Sequence, residues 1–378
     1  MCPVCLAELD VRDVWWRDSQ GNTSEGPPAR ARTRDRLRSR LLGAPNPLPK
    51  SWADWYAQGF RAYCPRHEGE LPEDLFTREL VVIGLVGESG SSKTHYIAAL
   101  LHLLSAGALA PYRMFIDLEP GTVTRYQTDY YQRLWVDREV IPATRPLRTY
   151  GQQAGGPPPP LTIVLRNWDT GRAVNVCIFD AAGEQLLSHQ QQASWARHLS
   201  VADGLLFFVD PAVLPGVQRQ LGGAVVGAGQ SLQVTASVLD ITSTLNRRVR
   251  SLSPDDDLPG VGSALLLTKA DLLEGTEGFP GEVLEPLEPL SEAPYRLVNR
   301  LKQDSLLVEG YIGANGGQNL VSSALHKFPG LSFHAVSATG CAPVNGGYEK
   351  VEPRRIVEPF LLLLARAGVI DMERSADA

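Results

Sequence analysis

Lys93 and Thr94 close the octapeptide Gly87-Glu88-Ser89-Gly90-Ser91-Ser92-Lys93-Thr94, so an ammonium and a hydroxyl directly follow a glycine-bearing loop. Such a loop can curl until successive N–H groups and a helix N-terminus point at phosphate oxygens. Lys93 would then reach the β- and γ-phosphates, and the Thr94 hydroxyl would sit on Mg²⁺. One position departs from the usual G-x-x-x-x-G-K-[ST] pattern, because Ser92 stands where the second glycine is expected. Serine is small enough for the loop to survive. Read alone, the octapeptide is also compatible with a plain strand-to-helix turn.

Three further groups could complete a nucleotide site. In Asp180-Ala181-Ala182-Gly183-Glu184 the aspartate can hold Mg²⁺ and the Gly183 N–H can meet a γ-phosphate and swing when that phosphate leaves. In Thr268-Lys269-Ala270-Asp271 the carboxylate can accept two hydrogen bonds from guanine N1–H and its N2 amino group, which adenine cannot supply on that edge. The Lys269 stem can lie along the base plane, and Thr268 can tie this loop to the phosphate-binding segment. Ser337-Ala338-Thr339 is a short small-residue turn able to present backbone N–H groups to guanine O6.

A separate constellation brackets the N-terminal region. Cys2-Pro3-Val4-Cys5 and Cys64-Pro65-Arg66-His67 each have ligand-x-x-ligand spacing, and together supply a Cys₃His set that a tetrahedral structural Zn²⁺ accepts. Incidental thiols beside a surface histidine are the alternative. Between the knuckles, Arg30, Arg32, Arg34, Arg36, Arg38 and Arg40 alternate with other residues ahead of a proline-rich stretch, flanked by Trp15, Trp16, Trp52 and Trp55. Aromatics beside arginines can stack on bases. The simpler reading, a solvated arm with tryptophans covering a small core, is preferred, so nucleic acid is a possible partner but not the favoured one.

The elements that must position these groups follow from patterning. Residues 80–86 form an apolar, β-branched run suited to a buried parallel strand, and residues 96–101 switch to helix formers. Residues 122–140 are expected to be helical. The Gly/Pro-rich 151–160 should be a loop, and 161–168 with 173–179 a hairpin around the turn 169–172. Strands are expected at 204–209, 264–267 and 331–336, and a last helix at 356–367. Each of the Asp180, Thr268 and Ser337 motifs thus follows a strand, where ligands bind in open α/β sheets. The organisation read is a head over 1–78, an α/β domain over 79–369 and a polar tail over 370–378.

With 378 residues, 43% hydrophobic content and a formal net charge of -6, the chain has the composition of a soluble acidic globular protein. No apolar run approaches the ~20 residues needed to span a bilayer, and the start lacks an export-signal pattern, so a cytoplasmic setting with reduced thiols is expected.

In the order GESGSSKT, DAAGE, TKAD and SAT, the motifs resemble those of Ras-like, or TRAFAC-class, GTPases over roughly residues 79–367. The resemblance implies a P-loop GTPase fold, mostly parallel with one antiparallel edge and helices on both faces, holding GTP or GDP with Mg²⁺ across the loop ends. A cysteine-knuckle head on such a domain is similar to bacterial GTPases of the double-GTPase group, associated with predicted conflict or defence operons. The resemblance also implies a switch threonine closing on Mg²⁺ and the γ-phosphate. Thr144 is the choice, with Thr122 and Thr124 as rivals. Glu184 stands where Ras-like enzymes place a water-positioning glutamine, with Gln185 next, which implies slow hydrolysis unless a partner or Arg145 assists.

The expectation is therefore a GTP-binding switch working with a protein partner, an effector, an activating protein or a second GTPase. Three alternatives stay open: a nucleotide-binding scaffold that does not hydrolyse, an ATP-using P-loop protein, which Asp271 argues against, and a nucleic-acid-binding head regulated by the GTPase domain.

Overall fold

A computed structural model describes residues 2, 9, 13–25, 52–66, 68–71, 78–142, 160–182, 198–222, 231–250, 261–287 and 294–370. Cys5, His67, the arginine arm, Thr144, Arg145, Gly183 and Glu184 lie outside the described residues. The chain divides into two compact units, Met1–Leu80 and Val81–Ala378.

In the first unit, β1 (Trp15–Arg17), β2 (Thr23–Glu25) and β3 (Arg61–Tyr63) form an antiparallel sheet in the order β2-β1-β3. The Asp18 carboxylate accepts the N–H groups of Gln20 and Asn22, both at 2.9 Å, which folds the β1–β2 connection as an Asx turn. Trp16 points inward and meets Trp55 of α1 (Trp52–Ala57) edge to face at 4.9 Å. Cys2 and Cys64 are buried in the same cluster, with Val14, Tyr56 and Leu71. Trp16 and Trp55 are only 0% and 8% exposed, so neither can serve as a base-stacking platform, and their role is core packing.

The second unit is built on a seven-stranded sheet in the order β10-β9-β8-β4-β7-β6-β5. Its strands are β4 (Glu79–Gly87), β5 (Met114–Leu118), β6 (Leu161–Asn167), β7 (Ala173–Ala182), β8 (Gly204–Val209), β9 (Gly262–Leu267) and β10 (Ser332–Ala335). β4–β8, β8–β9 and β9–β10 pair parallel. β6–β7 and β5–β6 pair antiparallel, so the antiparallel edge is one strand wider than the hairpin expected from the sequence.

Fully buried runs such as Gly204–Val209 need cover on both faces. On one face Val81, Ile83 and Leu85 share a core with Ile97, Leu101 and Leu104 of α2 (Lys93–Ser105), and with Phe360 and Leu364 of α8 (Val357–Arg366). Ile370 is buried in this core too, so the apolar part of the chain runs to that residue. On the other face Phe207 packs against Phe328 at 4.8 Å. Between β5 and β6 lie α3 (Pro120–Arg125) and a π-helical stretch, Tyr126–Val136, whose buried Tyr126, Tyr130 and Leu134 recur every four residues. Among the described residues the remaining α-helices are α4 (Pro215–Leu221), α5 (Leu232–Arg250), α6 (Pro294–Ile312) and α7 (Gln318–Lys327). Among the described residues no helix is long and apolar enough to cross a membrane.

Candidate functional site

The end of β4, the loop 88–92 and the start of α2 form a single turn that only a few residue types could make. A Cβ at Gly87 would lie 2.7 Å from the Phe208 carbonyl oxygen and 2.8 Å from the Phe208 Cβ, because β8 runs directly alongside. Gly90 (φ 76) and Ser92 (φ 64) both take left-handed backbone, on either side of Ser91. Alternation of this kind makes the concave arrays of N–H groups that bind anions. Ser92 therefore adopts the conformation that glycine would hold in the usual pattern, and its side chain makes no cap hydrogen bond.

Lys93 is 7% exposed, and its ammonium donates to the carbonyl oxygens of Gly87 at 2.6 Å and Glu88 at 2.8 Å. The loop is thus wrapped around a positive charge at a helix N-terminus. Ser91 reinforces the wrap by donating from Oγ to the Glu88 carbonyl oxygen at 2.7 Å. The Glu88 carboxylate is itself buried and accepts from the Thr235 hydroxyl of α5 at 2.6 Å. Thr235 was not legible as a site residue; nothing in its helical neighbourhood marks it.

Asp180 lies on β7, the strand beside β4, two residues before that strand ends. It lies close enough to Tyr130 to help raise that phenol to about 12, after burial, the larger cause. Of the rival switch threonines, Thr122 is buried and its Oγ1 accepts the Thr162 N–H at 2.8 Å, so this hydroxyl fastens α3 to β6. Thr124 is exposed on the same helix.

The third and fourth motifs meet. The Ser337 hydroxyl donates to Asp271 Oδ1 at 2.5 Å and accepts the Gly340 N–H at 2.9 Å. The Ala270 N–H donates to the Val336 carbonyl oxygen at 3.1 Å. The carboxylate at the end of β9 is therefore aimed by the turn at the end of β10. A Cβ at Gly340 would lie 2.4 Å from the Glu352 carbonyl oxygen, so this turn also requires glycine. Lys269 sits at φ 49, with its ammonium 2.5 Å from the buried Asp210 carboxylate at the end of β8. Thr268 departs from expectation. Its N–H and hydroxyl both donate to the Val209 carbonyl oxygen, at 2.9 and 3.1 Å, so it ties the loop to β8 and not to the segment 87–94.

His95, one residue past Thr94, links the two halves of the site. Its Nε2 accepts the Ile141 N–H at 3.2 Å and lies 3.1 Å from the Tyr348 hydroxyl. Burial first, and the nearby Lys269 ammonium second, hold the imidazole down at about 4. Tyr348 is pushed up to about 12, mainly by burial, with Cys341 and Asp271 contributing.

For the head, Cys64 sits in a tight turn in which its N–H donates to Gly69 O and its carbonyl accepts from Glu68 N–H. Cys2 and Cys64 share one buried cluster. Among the described residues no three His, Cys, Asp or Glu side chains gather as a metal site, and Cys5 and His67 lie outside those residues.

Comparison with known proteins gives three findings. The model of a family described as Double-GTPase 2 matches residues 81–291. A protein of Mycolicibacterium smegmatis carrying the name ESX-1 scaffolding and assembly protein SaeC is 28% identical over 409 aligned positions, covering 98% of this chain and 99% of that protein. The Saccharomyces cerevisiae Ski7 GTPase-like domain, solved with GTP, superposes with a TM-score of 0.36 and 12% identity, over 78% of this chain and 51% of its own. The chain thus spans about half the length of that solved structure.

Proposed function

The chain belongs to the Double-GTPase 2 family, and from that premise we propose a guanine-nucleotide switch that binds GTP and hydrolyses it slowly with Mg²⁺. The observation that carries the reading is the Ser337–Asp271 bond. It holds a carboxylate in a fixed orientation at the strand ends, as guanine recognition through paired N–H donors requires. Lys93, caged by the loop 88–92, supplies the phosphate end. Ser89, Gly90 and Ser91 would lend backbone N–H groups, and Lys269, Thr268 and Ala338 would frame the base.

A hydroxyl and a carboxylate are hard oxygen donors of the kind Mg²⁺ prefers. Thr94 opens α2 beside Lys93, and Asp180 lies on the strand adjoining β4, so these two residues fit the ion. Bound there, Mg²⁺ would offset charge on the phosphates. Thr144 and Gly183 are proposed as the groups that respond to the γ-phosphate, and Glu184 as the residue nearest the attacking water. A carboxylate in that position adds like charge, which supports slow turnover. Cys2, Cys5, Cys64 and His67 are proposed as ligands of a structural Zn²⁺ in a zinc-ribbon-like head over 1–78, with the GTPase domain over 79–369.

A second reading, a nucleotide-binding scaffold with little turnover, draws support from the Mycolicibacterium relative, whose name speaks of scaffolding and assembly and which aligns along almost the whole chain. Either reading implies a protein partner. The conflict or defence setting implied by the double-GTPase resemblance and the assembly setting of the relative are alternatives for where the switch acts. Lys93→Ala tests the shared core of both readings. The variant should remain folded and lose GTP binding, since the lysine contributes charge more than packing; undiminished affinity in a folded variant would remove the phosphate loop from the account.

A further inference from the structure

The turn that aims Asp271 is the base of a longer hairpin. Residues 337–339 run beside 352–354, with the Ser337 N–H and Arg354 carbonyl, the Arg354 N–H and Ser337 carbonyl, and the Glu352 N–H and Thr339 carbonyl bonded at 3.1, 2.8 and 2.9 Å. At the far end Val344 and Gly347 exchange both backbone hydrogen bonds around Asn345-Gly346. Both central residues have positive φ, 52 and 82, the two-residue turn that Asn-Gly favours.

The far end of this hairpin grips the segment that leads to the proposed switch threonine. Val140 N–H donates to Gly346 O at 3.1 Å, and Tyr348 N–H to Arg138 O at 2.7 Å. The Arg138 guanidinium donates to Glu349 O at 2.7 Å, and Glu139 bridges Gly347. His95 closes the arrangement from α2, because its Nε2 meets both the Ile141 N–H and the Tyr348 hydroxyl, and its ring stands edge-on to Tyr348 at 5.9 Å.

We propose that His95 is a positioning residue that locks the root of the switch segment, residues 138–141, to the guanine-recognition hairpin. The inference rests on the guanine-nucleotide reading above and adds to it how residues 138–141 are held. A nucleotide that orders the turn at Ser337 and Asp271 also orders 138–141 through the hairpin. The root then stays in place with either GDP or GTP. The hydrogen bonds of the His95 ring go to Ile141 and Tyr348, which lie outside the residues proposed to contact the ligand, so its effect is on position.

Hydrogen exchange on the full chain tests this, with GDP and with a non-hydrolysable GTP analogue. In the native protein both nucleotides should slow exchange of the 138–141 amides to the same extent. His95→Leu should raise exchange there about tenfold, the effect of losing the part-buried hydrogen bond that the Ile141 N–H donates to His95, with nucleotide affinity retained. His95→Gln, whose amide oxygen can still accept from Ile141, should restore most of the protection; a merely space-filling role would make Leu the better replacement. Guanine nucleotide binding without any slowing of 138–141, or equal exchange in native and His95→Leu proteins, overturns the inference and leaves the functional reading standing. No guanine nucleotide binding by the native chain overturns both.

Discussion

Ser92→Gly should stabilise this protein, although it removes a side chain. Ser92 holds φ 64, where an L-residue is strained by about 1–2 kcal/mol through its Cβ. Glycine relieves that strain but loses more backbone freedom on folding, a cost of about 0.5–1 kcal/mol. The serine hydroxyl makes no cap hydrogen bond, so nothing is forfeited there. The net expectation is a gain of roughly 0.5–1 kcal/mol, a shift of about 2 °C in Tm for a domain of this size. Urea unfolding of native, Ser92→Gly and Ser92→Ala proteins separates the contributions. The glycine variant should gain in midpoint at unchanged slope, while alanine, which keeps the Cβ, should show no such gain. GTP affinity should be kept or improved in the glycine variant. A less stable glycine variant, or one with weakened GTP affinity, would show that the Ser92 hydroxyl contributes something other than strain.

Two further outcomes follow from other parts of the molecule. His334 is buried beside Ser332 and held down to about 3, first by burial and then by Arg355 and Arg366. Its unfolded form takes up a proton near 6.5, so stability should fall as pH drops from there toward 3, by about 1.4 kcal/mol per pH unit from this group. Urea midpoints at pH 7 and 5 measure the slope, and an unchanged slope in His334→Asn would assign the loss elsewhere. In the head, elemental analysis should find one zinc per chain, and chelation should open the first unit to protease while GTP binding persists. A metal-free head that resists protease would show that Trp16, Trp55 and Tyr56 hold it unaided.

The sequence disclosed most where one local signal sufficed. The apolar run before Gly87, the glycine-bearing loop that follows and the helix formers after Thr94 are consecutive, so the strand, loop and helix could be read directly. Motif order placed Asp271 and Ser337 at the ends of successive strands, but the hydrogen bond between them was not legible. Three features depend on contacts remote in sequence. β5 was missed because Met114–Leu118 is short, contains Asp117, and becomes a strand only by pairing with β6. Thr122 looked like a rival switch residue until its bond to Thr162 placed it in the frame. His95 meets Ile141 and Tyr348 across long separations, and no local pattern marks a residue whose importance lies in two distant partners.

Competition binding with the base varied is the most direct test of the central claim. The native chain should prefer GTP over ATP by at least about a hundredfold, because a carboxylate built to accept two N–H donors is left poorly matched by adenine. Asp271→Asn should weaken GTP and shift preference toward xanthosine triphosphate, whose C2 carries an oxygen in place of the amino group, which an amide N–H can meet. Equal affinity of the native chain for ATP and GTP, or a nucleotide preference unmoved by Asp271→Asn, would contradict the account.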